Sequence, residues 1–215
     1  MSLLYEFDKG YKGIVCGIDE AGRGTLAGDV FAAAVVLNRV RHNPITQIAG
    51  LNDSKKLTAN KREQLFDEII SNCGAYAIAT ASVEEIEELN ILNATMLAME
   101  RAFEKLKTIL DEQIASCGTE SLTVLVDGNR APNIPESITV VKGDTKSASI
   151  AAASILAKVA RDRYATELDV MYPEYGFAKH KGYGTKLHRE MLLKHGVSVI
   201  HRKSFLSKIL YSRLS

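Results

Sequence analysis

The sequence has few cysteines and no long uncharged apolar run, and these absences exclude several classes of protein. Its three cysteines, Cys16, Cys73 and Cys117, lie far apart and form no Cys-x-x-Cys or Cys/His pattern. We therefore expect reduced thiols, and neither a disulfide framework nor a zinc site. Charges interrupt the apolar segments too often for a membrane span, and no secretion signal begins the chain. A cytoplasmic protein is the expectation, and the lack of a Gly-x-Ser-x-Gly motif leaves serine-nucleophile chemistry without support.

What the chain does have is a strong asymmetry of charge. With 215 residues, of which 46% are hydrophobic, it is long enough for one large domain or a domain with a small appendage. The net charge is only +1, but 82–120 holds nine acids against three Lys or Arg, and 176–215 holds nine Lys or Arg against one acid. Tyr183 and Phe205 lie among the basic residues of the second segment. A basic segment with interleaved aromatics indicates a nucleic-acid partner.

Short β-rich runs alternate with helical patterns, which is typical of an α/β sheet with helices on its faces. The short glycine-containing link after the first run predicts a hairpin, and therefore a mixed sheet. The predicted strands are 14–18, 30–37, 75–81, 122–126 and 138–143.

Two long helices and a helical C-terminal segment are also predicted. Apolar residues at three- and four-residue steps indicate a helix at 90–116. Small residues on nearly every face of a helix at 147–169 indicate close packing on the sheet. The last forty residues are expected to form a small helical appendage over the face that carries the acidic residues.

Four acidic residues follow three of the β-rich runs. Asp19 and Glu20 come directly after 14–18, Asp127 follows the fourth run, and Asp144 follows the fifth. One acid at a strand end is commonly a turn former or a helix cap, but strands of one sheet can bring several such ends together. Clustered carboxylates have raised pKa values unless cations are bound. Hard oxygen ligands favour Mg²⁺ or Mn²⁺, and two such ions about 4 Å apart activate water in phosphodiester hydrolysis.

The glycine-rich turn at 22–28 superficially matches a dinucleotide-binding fingerprint. That fingerprint should open a helix, whereas the run that follows is β-rich, and Asp19 and Glu20 would repel a pyrophosphate. We therefore reject a dinucleotide site. The glycines instead let the backbone approach a ligand closely, and Arg23 favours a phosphate.

Three further features each admit a structural and a functional interpretation. The polar loop 53–56 is either solvated or a phosphate-binding loop. Tyr183, which lies between two glycines, is either a packed surface residue or a platform for a sugar or base. Asp162 is an alternative candidate for the fourth acid, but it lies about 25 Å from Asp144 along a helix. We predict that it forms a surface ion pair with Arg161 or Arg163.

Seven segments, in a fixed order along the chain, carry recognisable motifs. They are 17–24 (Gly-Ile-Asp-Glu-Ala-Gly-Arg-Gly), 53–57 (Asp-Ser-Lys-Lys-Leu), 126–129 (Val-Asp-Gly-Asn), 142–144 (Lys-Gly-Asp), 151–162 (opening Ala-Ala-Ala-Ser-Ile-Leu-Ala-Lys), 180–185 (His-Lys-Gly-Tyr-Gly-Thr) and 201–205 (His-Arg-Lys-Ser-Phe). This set resembles ribonuclease HII, the bacterial type 2 ribonuclease H. The similarity extends over nearly the whole chain, from about residue 13 to residue 205.

The resemblance implies a ribonuclease-H-like α/β fold, with a mixed central sheet flanked by helices and a small helical C-terminal extension. We expect the catalytic domain to span 1–175 and the basic extension 176–215 to pack on the catalytic face. The resemblance assigns the catalytic role to Asp19, Glu20, Asp127 and Asp144, and metal binding to the first three.

The implied activity is cleavage 5′ of a ribonucleotide in an RNA–DNA hybrid or in duplex DNA, with Mg²⁺ or Mn²⁺ as cofactor, leaving 3′-hydroxyl and 5′-phosphate. In the family, the 22–24 turn reads the ribose 2′-hydroxyl, the group on the sugar that marks RNA, and Tyr183 stacks on the neighbouring deoxyribose. The residues expected to bind substrate are Gly22, Arg23, Gly24, Ser54, Lys55 and Tyr183. A monomer without membrane contact is expected.

Two positions depart from the family pattern, and two alternatives stay open. Asp29 stands where proline is usual, and Leu-Ser at 206–207 replaces a small residue and proline. Asp29 adds a negative charge near the expected metal site. The first alternative is a non-catalytic nucleic-acid-binding module. The second is a type 1 ribonuclease H, against which the adjacency of Asp19 and Glu20 argues. The N-terminal segment is too short for the extra domain of ribonuclease HIII.

Overall fold

A computed structural model describes residues 2–37, 47–114 and 121–211. These residues form a five-stranded sheet in the spatial order β3-β2-β1-β4-β5. The strands are β1 Ile14–Ala21, β2 Val30–Val36, β3 Ala75–Ala81, β4 Leu122–Asp127 and β5 Ile138–Val140. Because β1 pairs antiparallel with β2 and parallel with β4, the predicted hairpin and mixed sheet are confirmed.

Helices cover both faces of the sheet, as predicted. They are α1 Leu3–Lys9, α2 Ala59–Asn72, α3 Val83–Ile114, α4 Ala148–Met171, α5 Phe177–His180, α6 Lys186–His195 and α7 Lys203–Tyr211. Successive side chains of β2 point to opposite faces. Ala32 and Ala34 therefore pack in the core beneath α3, whereas Ala33 and Val35 pack in the core beneath α2 and α4.

Helix α4 lies very close to β1, the strand that carries two of the acids. A Cβ atom on Gly17 would lie only 2.1 Å from the backbone carbonyl carbon of Ser149, so the helix backbone rests directly on the strand. The small residues 151–153 are fully buried, which confirms the prediction of a helix pressed onto the sheet. The helix ends before Pro173, whose ring disfavours a helical residue ahead of it.

Two predicted element boundaries were wrong. β1 continues to Ala21, because the ladder with β2 extends past the apolar run and pairs Asp19 with Ala33. The fifth strand ends at Val140, and Asp144 lies in the 3-10 turn Gly143–Thr145. The start predicted near residue 90 is confirmed, because Asn90 has a non-helical φ of +69° and its Oδ1 accepts the amide hydrogens of Leu92 and Asn93. The acidic segment before it is also helical, and α3 therefore runs from Val83 with a kink at Asn90.

The structure also bears on the predictions about the cysteines and about membrane spans, as far as the residues concerned are described. Cys16 is fully buried in β1, as expected for a small hydrophobe, and Cys73 is half-buried. Cys117, Ser116 and the loop predicted at 43–44 lie outside the described residues. Among those described, no helix is long and apolar enough to cross a membrane.

The C-terminal segment is helical, and it packs against the loop that follows β1. Leu192 and Leu206 of this segment share an apolar cluster with Leu26 and Ala27 of the loop and with Leu168 of α4. The backbone adds two isolated bridges, Thr25 to Tyr183 and Ala27 to His201. The division of the chain at residue 175 stays a prediction.

Candidate active site

The two central parallel strands bring the predicted acids together. Ile18 of β1 lies beside Val126 of β4 in the ladder, so the next residues, Asp19 and Asp127, lie beside each other at the carboxyl ends of both strands. The amide of Gly143 donates to Asp127 Oδ1 over 2.6 Å, which ties the turn carrying Asp144 to the end of β4. Strand pairing and one backbone-to-side-chain hydrogen bond therefore bring three of the four acids together.

The fourth acid, Glu20, lines a cavity together with Asp19 and Asp127, and Asp144 is not among the residues that line it. This cavity has a volume of about 210 Å³ and is lined by acids, glycines, cations and an aromatic ring. Its lining residues include Asp19, Glu20, Gly22, Arg23, Gly24, Ser54, Lys55, Asp127, Ser154, Lys158 and Tyr183. All six predicted substrate-binding residues and all three predicted metal ligands thus border one space.

Burial and mutual repulsion raise the pKa values of Asp19, Glu20 and Asp144. Asp19 is only 5% exposed, and its burial, followed by the charges of Glu20 and Asp127, holds its pKa well above the usual value. Burial also raises the pKa of Glu20, although Arg23 opposes that rise. The pKa of Asp144 is raised by burial and then by Asp127. A site that resists ionisation in this way favours an added cation.

Two side-chain cations lie against the acids. Arg23 Nη1 is 3.2 Å from Glu20 Oε1, and Lys55 Nζ is 3.7 Å from Asp144 Oδ2. The Lys55 side chain is 81% exposed, so this contact is weak and easily exchanged for another anion. Both cations are therefore free to contact the phosphates of a bound nucleic acid.

The donor set fits a hard divalent cation. In the described part of the chain, no three acidic, histidine or cysteine side chains surround a single point as they stand. Glu20 is held instead by Arg23, and Asp127 by the Gly143 amide. Carboxylate oxygens that are buried and repel one another are nevertheless the ligands that Mg²⁺ and Mn²⁺ prefer. Asp19, Glu20 and Asp127 are the residues that would hold such an ion.

The predicted loop around Ser54 is an ordered turn. Asp53 Oδ1 accepts the amide hydrogen of Lys55 over 2.9 Å and caps the 3-10 turn Ser54–Lys56. Ser54 Oγ lies 2.7 Å from Ser154 Oγ of α4, so the turn is fastened to the helix beneath the cavity. The interpretation as a solvated loop holds only for Lys55 and Lys56, which are exposed, because Asp53 and Ser54 are buried.

Tyr183 is held at the mouth of the cavity by a chain of histidines. Its carbonyl accepts a hydrogen bond from His188 Nδ1 over 3.1 Å, since a carbonyl can only accept. His188 Nε2 must then accept from His201 Nε2, 3.1 Å away, while His201 Nδ1 accepts from the Ser198 amide. Burial lowers the pKa of His188 and of His201 to about 4. Both imidazoles are therefore neutral at pH 7, and the chain is intact.

Residues that the sequence reasoning missed surround the acids. Asp53 adds its charge to that of Asp144, and Lys158 Nζ lies 5.5 Å from the centre of the Tyr183 ring. Both fall inside motifs quoted above, but no periodicity or spacing marks them as part of the site. The predicted partner of Asp162 was wrong: it pairs with Lys158 at 2.6 Å and with Arg62 at 3.9 Å.

Asp29, the departure from the family pattern, lies beside other groups than the four acids. Burial raises the pKa of Asp29. Hydrogen bonds with the Val83 backbone and the Tyr164 side chain, and the charge of Arg202, oppose that rise. Its carboxylate thus interacts with the start of α3, with α4 and with the C-terminal segment.

Comparison with known proteins decides the family. The sequence model of the family Ribonuclease HII matches residues 16–208. The chain belongs to the ribonuclease HII family. It is 53% identical over 204 residues to the ribonuclease HII of Caldicellulosiruptor bescii, covering 94% of this chain and 91% of that protein. It is 54% identical over 194 residues to that of Albidiferax ferrireducens, covering 90% and 86%.

Solved structures agree with this assignment. The ribonuclease H2 of Pyrococcus horikoshii has a TM-score of 0.62 and 27% identity, covering 91% of this chain and 96% of that one. The ribonuclease HII in a complex with PCNA from Archaeoglobus fulgidus has a TM-score of 0.63, with the same identity and coverage. The Bst ribonuclease HIII with Mn²⁺ has a TM-score of 0.71 at 15% identity and covers 99% and 74%, which shows the fold alone.

As a ribonuclease HII, the protein is a type 2 ribonuclease H: an endoribonuclease that acts on the RNA of RNA–DNA hybrids and depends on a divalent metal ion. The prediction of the family, of the ribonuclease-H-like fold and of a metal-dependent nuclease is confirmed.

Proposed function

We propose that this ribonuclease HII cleaves the phosphodiester on the 5′ side of a ribonucleotide, both in RNA–DNA hybrids and at single ribonucleotides embedded in duplex DNA. The products are a 3′-hydroxyl and a 5′-phosphate, and the chemistry is two-metal-ion catalysis with Mn²⁺ or Mg²⁺. The observation that carries the proposal is the cavity that the three predicted metal ligands share with the exposed turn 22–24 and with Tyr183.

The acids serve the chemistry of the cavity. Asp19, Glu20 and Asp127 hold the metal ions, and Asp144 completes the catalytic acids beside them. When bound, the ions supply an activated water and stabilise the leaving oxygen. The raised pKa values of Asp19 and Glu20 support this role, because the two carboxylates gain most when a cation neutralises them.

The turn 22–24 and Tyr183, which line the same cavity as the metal ligands, select the sugar. Gly22 has a φ of +98°, a conformation that side chains rarely adopt, and the turn it begins exposes Arg23 and Gly24 to solvent. A turn of exposed backbone amides can bond a 2′-hydroxyl without reading the base. Tyr183, whose side chain is 39% exposed, offers its ring to the neighbouring deoxyribose, and Lys55 with Ser54 contacts the phosphate.

The test is cleavage of a DNA duplex with one ribonucleotide, mapped at single-nucleotide resolution with Mg²⁺ or Mn²⁺. We expect one metal-dependent cut immediately 5′ of the ribonucleotide, and none in the matched all-DNA duplex. Cleavage restricted to long hybrids would contradict the junction proposal and point to type 1-like specificity. Binding without turnover on either substrate would leave a nucleic-acid-binding module.

The Asp127→Asn variant provides the control for the metal site. We expect it to fold normally and to lose cleavage, because the amide lacks the charge that holds the ion. Near-normal turnover would refute the ligand assignment. The protein is proposed to act in the cytoplasm as a monomer, and light scattering during purification checks the second point.

A further inference from the structure

A single arginine of the C-terminal segment holds the turn that is proposed to read the ribose. Arg202 is fully buried, and its guanidinium reaches back across 180 positions of sequence to the loop after β1. Its Nη1 donates to the carbonyls of Gly22 (2.8 Å), Arg23 (3.1 Å) and Thr25 (3.0 Å), and its Nε donates to that of Gly28 (2.8 Å).

These contacts fix the directions of the amides in the turn. A trans peptide unit is planar, so a carbonyl that points inward forces the N–H of the next residue to point the opposite way. The carbonyls of Gly22 and Arg23 both point at Arg202, and the amides of Arg23 and Gly24 consequently face away from it, outward. Within the described residues, neither amide has a hydrogen-bond partner. Two free donors therefore stand on the exposed side of the turn.

A second buried guanidinium lies under the same turn. Arg161 of α4 donates to the carbonyl of Ala27 over 3.0 Å, and a Cβ on Gly22 would lie 3.1 Å from its Nε. A Cβ on Gly182 would lie 2.8 Å from its Nη2, so glycine is needed on both sides of this group. Burial lowers the pKa of Arg202, and the charge of Arg161 lowers it further.

Placing two buried guanidinium groups together costs stability, and the charge of Asp29 compensates only in part, because the pKa values of both arginines stay lowered. Arg161 Nε and Nη1 and Arg202 Nη2 have no hydrogen-bond partner, and unpaired buried donors are destabilising. A neutral core would be the more stable arrangement, so the guanidinium pair is better explained by what it orients. What it orients is the row of carbonyls from Gly22 to Gly28.

We propose that Arg202 is a positioning residue for ribose recognition: it sets the peptide planes of 22–24 so that the amides of Arg23 and Gly24 meet the 2′-hydroxyl. This inference rests on the proposed function of the turn. Lysine cannot replace Arg202, because one ammonium group lacks the planar fork that reaches the Gly28 carbonyl on one side and the Gly22 carbonyl on the other.

The experiment compares binding to two duplexes that differ by one 2′-hydroxyl, measured by fluorescence anisotropy in EDTA so that no cleavage occurs. Arg202→Lys is the test variant. Arg189→Lys is the matched control, because Arg189 is exposed on α6 of the same segment. We expect Arg202→Lys to lower the ribo-to-deoxy affinity ratio by about 2- to 12-fold, the equivalent of one hydrogen bond. kcat/KM at a single ribonucleotide should fall by at least the same factor, with calorimetric Mn²⁺ affinity unchanged.

Each outcome decides the proposal. A folded Arg202→Lys protein that keeps the full affinity ratio overturns it, and so does one that loses affinity for both duplexes equally, since that is a purely structural effect. If the lysine variant does not fold, Arg202→Gln takes its place, because a neutral planar amide removes the repulsion with Arg161. If the unaltered protein itself shows no preference for the ribonucleotide, the proposed function fails first and the inference falls with it. If the unaltered protein cleaves 5′ of the ribonucleotide but the Arg202→Lys variant keeps the full affinity ratio, the proposed function stands and only the role of Arg202 is refuted.

Discussion

Substituting Asp19 by asparagine should stabilise the metal-free protein while it abolishes activity. Asp19 is buried beside Glu20 and Asp127, and burial together with these two charges raises its pKa well above the usual value. Asparagine keeps the shape and retains an oxygen for the Glu20 amide, which now donates to Asp19 Oδ1 over 2.7 Å. It removes the buried charge, and with it the repulsion among the acids.

The size and pH dependence of the effect follow from the structure. Relief of a strained functional site is worth about 0.5–2 kcal/mol, which corresponds to a rise in Tm of roughly 1–8 °C for a chain of this length. Because the pKa of Asp19 is raised by folding, its contribution to stability is present below its unfolded pKa and is lost as pH rises through the folded pKa. The advantage of the asparagine variant should therefore increase from pH 5 to pH 8.

Thermal unfolding in EDTA and in Mn²⁺ provides the assay. Binding of an ion at 100 times its Kd stabilises the unaltered protein by about 2.7 kcal/mol, whereas the variant, which has lost a ligand, gains less. The order of Tm values should reverse between the two buffers. Asp111→Asn, at an exposed position of α3, is the control and should change Tm little in either buffer. A variant less stable than the parent in EDTA would refute the reasoning that the site stores repulsion.

Three further outcomes test the site and the fold. Tyr183→Ala should reduce cleavage at a single ribonucleotide more than it reduces Tm, whereas Tyr183→Phe keeps the ring and most of the activity; unchanged junction kinetics in the alanine variant would remove Tyr183 from the mechanism. Gly17→Ala should lower the free energy of unfolding, measured by urea titration, by about 3 kcal/mol or more, because the added Cβ meets the backbone of α4. This is the upper end of the range of about 1–3 kcal/mol for overpacking. Gly24→Ala, with nothing within 4 Å of the added atom, should change the free energy of unfolding little. Folding lowers the pKa of His188 and His201, so their contribution to stability is present above pH 6.5 and is lost as pH falls towards 4. In a double variant with glutamine at both positions, calorimetry between pH 7 and pH 4 should show a smaller loss of stability than in the unaltered protein. An equal loss in both proteins would contradict the neutral histidine chain.

The local sequence was enough to predict much of the fold and the composition of the site. The alternation of β-rich runs with helical patterns predicted the sheet and its flanking helices, because periodicity reports which face of each element is buried. The ordered motifs, beginning with the one around Asp19 and Glu20, were specific enough to predict the family, and with it three acids that line one cavity. The predicted end of β1 was wrong because strand pairing continues beyond the apolar run. β1 extends through Asp19 and Glu20 because β2 supplies their hydrogen-bond partners, and the hydrophobic pattern of β1 carries no information about this pairing.

Other features were decided by the tertiary structure alone. The pairing of Ser54 with Ser154 joins residues 100 positions apart, and that of Arg202 with Gly22 joins residues 180 positions apart. No local pattern marks such partners, since a buried arginine and an exposed one look alike in the sequence. The sequence by itself determined which elements form, and which acids and glycines the chain brings to its site. Only the packing of the C-terminal segment against the loop after β1 decided which carbonyls accept hydrogen bonds from Arg202, and therefore which amides of the turn point outward. The physical reason is that hydrogen-bond direction depends on the placement of both partners in space.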